Sequence, residues 1–171
     1  MSEKVLIFLD EWVEDMEFLY PYYRLKEEII SVQSAAPEIK SYTGKKGMSF
    51  KPDVTIDEIK NEQFTTLIIP GGFAPDKMRR NPDLLKMVRQ HHENNCYIVS
   101  ICHGPWVLIS AGIVKDRKIA ATPAIKDDLV NAGAIFSKKG DEEDGKILTS
   151  SNPQTMLPMM KRFMSKIRNS S

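Results

Sequence analysis

Residues 97–112 read Tyr-Ile-Val-Ser-Ile-Cys-His-Gly-Pro-Trp-Val-Leu-Ile-Ser-Ala-Gly. A short apolar run ends in small residues and a cysteine, and an apolar pattern with helical spacing begins directly after it. This pattern predicts a strand, a sharp turn and a helix. A residue at such a turn projects above the edge of the sheet, over N-terminal amides that favour an anion. We therefore interpret Cys102 as a nucleophile that ionises more easily than a free thiol.

The neighbours of Cys102 fit a nucleophile elbow. Ser100 and Gly104 are the small residues, two positions before and after it, that such a turn requires. Most free cysteines are small buried hydrophobes, and this is our interpretation of Cys96, which opens the same strand with no base beside it. For Cys102, the turn pattern and the adjacent His103 favour a catalytic role.

Composition sets the broad class of the protein. The chain has 171 residues, of which 42% are hydrophobic and 27% charged, and its formal net charge is +1. These values are typical of one globular domain. Basic residues are spread along the chain, so we expect no binding to nucleic acid or to a membrane. The absence of a signal peptide pattern and of a membrane-spanning apolar run predicts a cytoplasmic protein with reduced thiols.

The order of the expected elements indicates the fold class. Strands are predicted at residues 4–9, 29–35, 67–69, 97–99, 118–121, 134–137 and 147–149. Helices are predicted after Cys102 and at residues 14–28, 81–94, 124–132 and 152–167, with a hairpin at 41–50. This alternation predicts an α/β protein with a doubly wound parallel sheet. We expect a single domain over residues 1–168 and a polar tail at 169–171, and a solvated acidic turn at 141–145.

Two other segments are expected at the sheet edge that carries Cys102. Gly72 lies in a Pro-Gly-Gly break after strand 67–69, and its amide and that of His103 are placed to form an oxyanion hole. Glu17 follows the first strand, and two interpretations stay open: a carboxylate above the same edge, or a first-turn acid that only favours the helix dipole. The His103 ring likewise either contacts Cys102 from the side or faces solvent.

The remaining candidates have less specific patterns. Trp12 follows the first strand and either walls a pocket or packs at a surface or an interface. His91 and His92 end a polar helical segment and are expected to be solvated. With three histidines in the chain and no metal-ligand spacing, we predict no metal site and no cofactor.

Several segments together resemble the ThiJ/PfpI superfamily, specifically its PfpI-type intracellular protease and deglycase branch, which is peptidase C56-like. They are Glu-Asp-Met-Glu at 14–17, Tyr-Pro-Tyr-Tyr-Arg-Leu-Lys at 20–26, Ile-Pro-Gly-Gly-Phe-Ala-Pro-Asp at 69–76, Ser-Ile-Cys-His-Gly-Pro at 100–105, Ile-Lys-Asp-Asp at 125–128 and Asn-Ala-Gly at 131–133. They follow the family's order along nearly the whole chain, and as a set they are highly specific.

The resemblance implies a flavodoxin-like sandwich of the class I glutamine amidotransferase type. It places Cys102 on the elbow, with Glu17 as a protonated acid hydrogen-bonded to its sulfur. It also implies that Asp76 of a neighbouring subunit orients His103, so that the site is complete only in a homodimer or a larger assembly. Two positions depart from the pattern: Asp76 is one methylene shorter than the glutamate of some relatives, and Ser151 stands where relatives often have an arginine.

The activity that the resemblance implies is that of a cysteine-dependent intracellular hydrolase in stress protection. The family is described as peptidases and as deglycases or glyoxalase-like enzymes, which act on peptides and proteins or on small carbonyl compounds, and the sequence leaves both open. An alternative is a redox sensor or stress chaperone in which Cys102 is oxidised without turnover. Cys96 is then a poor resolving partner, because it is expected about 20 Å away along the strand. A third reading, a member without activity, is not favoured, because Cys102, His103 and both acids are present.

Overall fold

The structure, a computed structural model, describes residues 3–28 and 30–168. Ile29, at the start of one predicted strand, and the polar tail predicted at 169–171 lie outside the described residues. The strands are β1 (Lys4–Phe8), β2 (Ser31–Ala36), β3 (Tyr42–Thr43), β4 (Ser49–Phe50), β5 (Val54–Thr55), β6 (Thr66–Ile69), β7 (Tyr97–Ile101), β8 (Lys118–Ile119), β9 (Ile135–Phe136), β10 (Asp141–Asp144) and β11 (Ile147–Ser150). The helices are α1 (Asp15–Glu27), α2 (Ile56–Ile59), α3 (Ala74–Met78), α4 (Pro82–Glu93), α5 (Pro105–Ala111), α6 (Lys126–Asn131) and α7 (Pro153–Arg168).

A seven-stranded sheet forms the centre, in the order β10-β11-β7-β6-β1-β2-β5. All neighbouring strands are parallel except β10, which pairs antiparallel with β11. Without the two edge strands the order is β2-β1-β6-β7-β11, the flavodoxin-like arrangement of a doubly wound sheet. The predicted fold class is confirmed. The carboxyl ends of β1, β6 and β7 meet where the strand order reverses, which is where such sheets bind ligands.

Helices cover both faces of the sheet. On one face α7 packs against β11 and α1, and α1 also packs against β2; on the other, α4 packs against β6, β7 and α5. The central strands are therefore continuous apolar runs, and Leu6, Ile68 and Val99 have no exposed surface. Burial on both faces is the reason that these strands could be recognised from the sequence as unbroken apolar stretches.

Capping residues set the bounds of two predicted helices. The side chain of Asn81 accepts hydrogen bonds from the amides of Asp83 and Leu84 at the start of α4. Gly112 ends α5 with a φ of 76°, a left-handed conformation that glycine adopts at no steric cost. The hairpin predicted at 41–50 is also confirmed, as the antiparallel pair β3–β4.

The acidic segment predicted to be a turn is instead the edge strand β10, and that prediction was wrong. Its carboxylates are not simply solvated, because three of them form ion pairs with cations of α7 and of the segment before β8. The ion pairs are Arg117–Asp144, Arg162–Asp141 and Lys166–Glu143. A run of acids forms a strand here because the contacts come from distant parts of the chain.

His91 is not solvated as predicted, since only 6% of its surface is exposed. Its Nδ1 lies 2.8 Å from the carbonyl oxygen of Met87, and its Nε2 accepts a hydrogen bond of 3.3 Å from the amide of Phe64. Burial lowers the pKa of this imidazole. His91 therefore acts as a neutral structural link between α4 and the segment that precedes β6.

Among the described residues, no helix has the length and apolar character needed to span a bilayer.

Candidate active site

Cys102 occupies a strained turn between β7 and α5. Its φ of 59° lies in the left-handed region, which costs a residue with a side chain on the order of 1–3 kcal/mol. Hydrogen bonds hold this conformation: the Cys102 amide donates to the carbonyl of Ser150 at 2.8 Å, and the Gly104 amide donates to that of Ile101 at 2.7 Å. The strand, sharp turn and helix predicted from the sequence are confirmed.

Position 104 accepts no residue larger than glycine. A Cβ atom on Gly104 would lie 2.5 Å from the hydroxyl of Ser100 and 2.6 Å from the carbonyl oxygen of Ile69. Both distances are too short for any carbon contact. The turn therefore requires glycine because β6 lies directly against it.

Glu17 lies in the first turn of α1 and is completely buried beside Cys102. Its Oε2 accepts a hydrogen bond of 2.7 Å from the amide of Gly71. Its Oε1 is buried without a hydrogen-bond partner among the described residues. A Cβ atom on Gly71 would lie 2.5 Å from Glu17 Oε2 and 2.7 Å from the Cβ of Cys102. Of the two interpretations of Glu17, the structure supports the carboxyl group above the sheet edge.

The carboxyl group of Glu17 is protonated near neutral pH. Burial raises its pKa from the ordinary value of 4.5 to about 8, the Gly71 amide lowers it, and the negative charge of Glu14 raises it further. A neutral carboxyl group carries one O–H donor. With one oxygen already bonded to Gly71, the other is available to donate to the sulfur of Cys102 or to a bound molecule.

Cys102 ionises less readily than its turn alone predicts. Burial and then the negative charge of Glu17 raise the pKa of the thiol to about 12, whereas the amides of His103 and Gly72 and the positive charge of Lys45 lower it. The expectation of an easily ionised thiol was wrong because it left out burial and the neighbouring acid. When Glu17 holds its proton, this repulsion disappears, so the two groups titrate as a coupled pair.

The amides of Gly72 and His103 converge on the sulfur of Cys102. Gly72 has a φ of +78°, and a Cβ atom there would lie 2.4 Å from the carbonyl oxygen of Trp12. The Phe73 amide donates to that same carbonyl at 2.8 Å, so the loops after β1 and β6 are joined. The structure thus brings together the two amides that the sequence singled out. Two convergent amides beside a nucleophile have the geometry to hold an oxyanion.

The imidazole of His103 contacts Cys102 from the side. Its Nδ1 lies 3.3 Å from the sulfur, so the interpretation of a solvent-facing ring does not hold. Burial and then the positive charge of Lys45 lower the pKa of His103. The ring is therefore neutral at pH 7 and able to accept a proton from the thiol or from water.

Trp106 fixes the position of the His103 ring, which sequence reasoning missed. The centroids of the two rings are 5.1 Å apart. The indole N–H of Trp106 donates to Asp128 at 2.8 Å, and the guanidinium of Arg79 lies 5.5 Å from the indole centroid. These partners come from three segments far apart in sequence, so no local pattern could have shown them.

Asp76 does not reach His103 within one chain. It lies in α3 with 60% of its side chain exposed, and its carboxylate forms an ion pair of 3.0 Å with Arg80. Ser151, at the other position that departs from the family pattern, lies in the turn before α7, where its amide donates to the carbonyl of Gly140 at 2.7 Å. Neither residue contributes to the assembled cluster of the single chain.

A cavity of about 380 Å³ opens beside the loops that follow β1 and β6. It is lined by Trp12, Thr43, Gly44, Lys45, Gly47 and Phe73. The rings of Trp12 and Phe73 meet edge to face at 6.1 Å, and each is more than half exposed. Trp12 therefore walls a pocket, one of its two sequence interpretations.

Within residues 3–28 and 30–168, no three potential metal-ligating side chains cluster.

Comparison with known proteins identifies the family of the chain. The profile of the DJ-1/PfpI family matches residues 3–166. The chain is 40% identical over 161 residues to the deglycase PH1704 of Pyrococcus horikoshii, covering 94% of this chain and 97% of that protein. It is 33% identical over 157 residues to the putative cysteine protease YraA of Bacillus subtilis, covering 91% and 93%.

Solved structures support the family assignment. A two-domain protein of Anabaena variabilis with DJ-1/ThiJ/PfpI-like and ferritin-like domains superposes with a TM-score of 0.93 and 34% identity. The match covers 97% of this chain and 48% of that protein, so the chain spans about half of it. With the family profile matching almost its entire length, the chain belongs to the DJ-1/PfpI family.

Proposed function

We propose that this protein is a cysteine-dependent hydrolase that converts small 2-oxoaldehydes, or their adducts, to 2-hydroxyacids, and so protects the cell against reactive carbonyl compounds. The observation that carries the proposal is the unpartnered Oε1 of Glu17, buried beside the sulfur of Cys102. A carboxyl group with a pKa near 8 exchanges protons efficiently close to neutral pH. The names of the relatives, a deglycase and a putative cysteine protease, support a hydrolase of this family.

The cluster provides a route for each proton. His103 accepts the thiol proton of Cys102 as the sulfur adds to the aldehyde carbon, and the resulting oxyanion, held by the amides of Gly72 and His103, takes the proton of Glu17. The Glu17 carboxylate then moves the proton of the aldehyde carbon to the adjacent carbon, and His103 returns its proton to the oxygen on that adjacent carbon. The hydroxyl proton on the carbon bound to sulfur returns to Glu17, which produces a thioester of the 2-hydroxyacid. His103 accepts a proton from the water that hydrolyses this thioester. One water is added overall, and no external oxidant or reductant is required.

The small size of the cavity next to the site, which is lined by Lys45 and Phe73 and not by Cys102 itself, favours small carbonyl compounds over peptides. A volume of about 380 Å³ is at the low end for small-molecule sites, and an extended peptide requires a longer groove. Peptide hydrolysis stays the alternative within the same family.

The test is methylglyoxal consumption by the purified protein, with the product identified as lactate. In D₂O the proposed proton transfer incorporates deuterium at C2 of lactate, whereas a direct hydride shift leaves C2 unlabelled. Protein alkylated beforehand with iodoacetamide is the control and is expected to be inactive. If no lactate forms although Cys102 is still alkylated, the proposal of carbonyl substrates is wrong. Peptides and esters are then the substrates to test.

We also propose that the protein works as a homo-oligomer in which Asp76 of a neighbouring subunit orients His103. Asp76 and Phe73 are exposed on the same short segment, and within one chain His103 has no acidic partner among the described residues. A second copy docked against this segment would bring an acid to the His103 ring.

The Asp76→Asn substitution is expected to lower kcat by about tenfold to a hundredfold, because an unoriented general base loses part of its contribution. Asp57→Asn, at an exposed position in α2, is the matched control and is expected to change little. Co-expressed Asp76→Asn and Cys102→Ser chains are expected to recover part of the activity, since mixed assemblies contain some complete sites. Failure to recover, or a monomer in light scattering, would contradict an intersubunit role.

A second candidate function is redox sensing through Cys102. Two amides that hold an oxyanion also suit the oxygens of a sulfinic acid, and Cys96 and Cys102 flank opposite ends of β7, so no disulfide between them is expected. Mass spectrometry after mild peroxide treatment is the test. An unmodified Cys102 would argue strongly against this function.

A further inference from the structure

The tip of the β3–β4 hairpin is held rigidly against the start of α1. The buried carboxylate of Asp15 accepts hydrogen bonds from the amides of Lys46 at 2.7 Å and Met48 at 3.1 Å. A Cβ atom on Gly44 would lie 2.4 Å from Asp15 Oδ1, so glycine is required for the tip to approach this closely. The hairpin therefore has a fixed position relative to α1, the helix that carries Glu17.

This clamp presents the side chain of Lys45 to the cavity beside the active site. The Lys45 amide donates to the carbonyl of Val13 at 2.8 Å. Its ammonium lies 5.4 Å from the centroid of the Phe73 ring and 3.5 Å from Oε2 of Glu14. With 39% of the side chain exposed, the ammonium keeps donors free for an additional ligand.

The positive charge of Lys45 acts on all three reacting groups. It lowers the pKa of Cys102, of Glu17 and of His103. A substrate in the cavity that Lys45 lines is therefore exposed to the same positive charge that acts on the reacting groups.

We propose that Lys45 and the Trp12–Phe73 wall form a subsite for a carboxylate carried by the substrate. The preferred substrates are then 2-oxoaldehyde adducts of molecules with a free carboxylate, rather than neutral dicarbonyls. This deepens the proposed function and rests on it for the substrate class. For a thiol adduct, one water is consumed, the carbon–sulfur bond to the leaving thiol breaks, and a 2-hydroxyacid and a free thiol are released.

The subsite is tested without turnover by alkylating Cys102 with iodoacetate and with iodoacetamide, which differ in one negative charge. Peptide-level mass spectrometry separates modification of Cys102 from that of Cys96. In Lys45→Met, the ratio of the iodoacetate rate to the iodoacetamide rate is expected to fall about fivefold, the size of a partly exposed charge interaction. Lys46→Met is the matched control on the same hairpin, and Lys45→Arg is expected to restore the ratio.

The ratio separates a subsite from a general effect on the thiol. If Lys45 only favours the thiolate, both rates fall together in Lys45→Met, the ratio stays constant, and the subsite is refuted. An unchanged ratio refutes the subsite whether or not the protein consumes methylglyoxal. The alkylation test therefore distinguishes a failed subsite from a failed proposed function. Where turnover is present, the methylglyoxal adduct of N-acetylcysteine is expected to be preferred over that of N-acetylcysteine amide, and Lys45→Met is expected to remove the preference.

Discussion

Replacement of Cys102 by serine is expected to reduce conversion of methylglyoxal to lactate by roughly 10³-fold or more. A serine hydroxyl has nearly the same size, so the turn and the amides of Gly72 and His103 stay in place. Its oxygen is far less acidic than sulfur, and Glu17 and the neutral His103 ring do not provide enough base strength to ionise it. The loss corresponds to at least about 4 kcal/mol of transition-state stabilisation.

Cys96→Ser is the matched control for this experiment. Cys96 lies before β7 and away from the reacting groups, where burial raises the pKa of its thiol. The variant is expected to keep wild-type turnover. Activity retained in Cys102→Ser would refute the nucleophile assignment, and activity lost in Cys96→Ser would show that the assay reports a structural effect.

The Glu17→Gln substitution is expected to stabilise the protein at alkaline pH by several kcal/mol while it removes turnover. The pKa of Glu17 is raised in the folded protein from 4.5 to about 8. Between these values the folded state binds more protons than the unfolded chain, so the free energy of unfolding falls as pH rises. The contribution is fully present below about pH 4.5 and is lost through pH 8, at about 1.4 kcal/mol for each pH unit.

Glutamine keeps the shape of the side chain but cannot ionise. Its amide oxygen is able to accept the hydrogen bond from Gly71, and its NH₂ group takes the place of the unpartnered Oε1. Urea unfolding at pH 5 and pH 8.5 is the measurement: the two proteins are expected to agree at pH 5, and the variant to be more stable at pH 8.5. Glu27→Gln, an exposed position of α1, serves as the control, and parallel pH profiles for wild type and Glu17→Gln would contradict a buried neutral carboxyl group.

The sequence was sufficient for the core strands of the sheet and for the turn at Cys102. Strands buried on both faces are continuous apolar runs, and the elbow depends on small residues at fixed spacing, so both features are local. The convergence of the Gly72 and His103 amides followed from strand order alone, because the carboxyl ends of neighbouring parallel strands meet. The same argument offered a position for Glu17 near this edge as one of two interpretations, and only the structure decided between them.

Features that depend on distant contacts could not be predicted in this way. Lys45 belongs to a hairpin whose position is set by Asp15, some thirty residues earlier. The hydrogen bond from Trp106 to Asp128 joins two separate helices. The turn alone suggested a lowered pKa for the Cys102 thiol. Burial and the negative charge of Glu17 raise it instead. The order of the strands indicates which groups lie close together, whereas the extent of burial sets their pKa values and so their protonation.

The acidic strand β10 also bears on the solubility of the fold. Each edge of an open sheet leaves one row of backbone donors and acceptors unpaired, and a second chain is able to extend the sheet there. At one edge, β5 has only two residues, too few to template a strand. At the other, every residue of Asp141–Asp144 is acidic, and its ion pairs with Arg117, Arg162 and Lys166 line the edge with charged groups that a second strand would have to displace. The sheet is thereby protected from edge-to-edge aggregation at both ends, and acidic solutions that protonate β10 break those ion pairs and remove the protection from one of them.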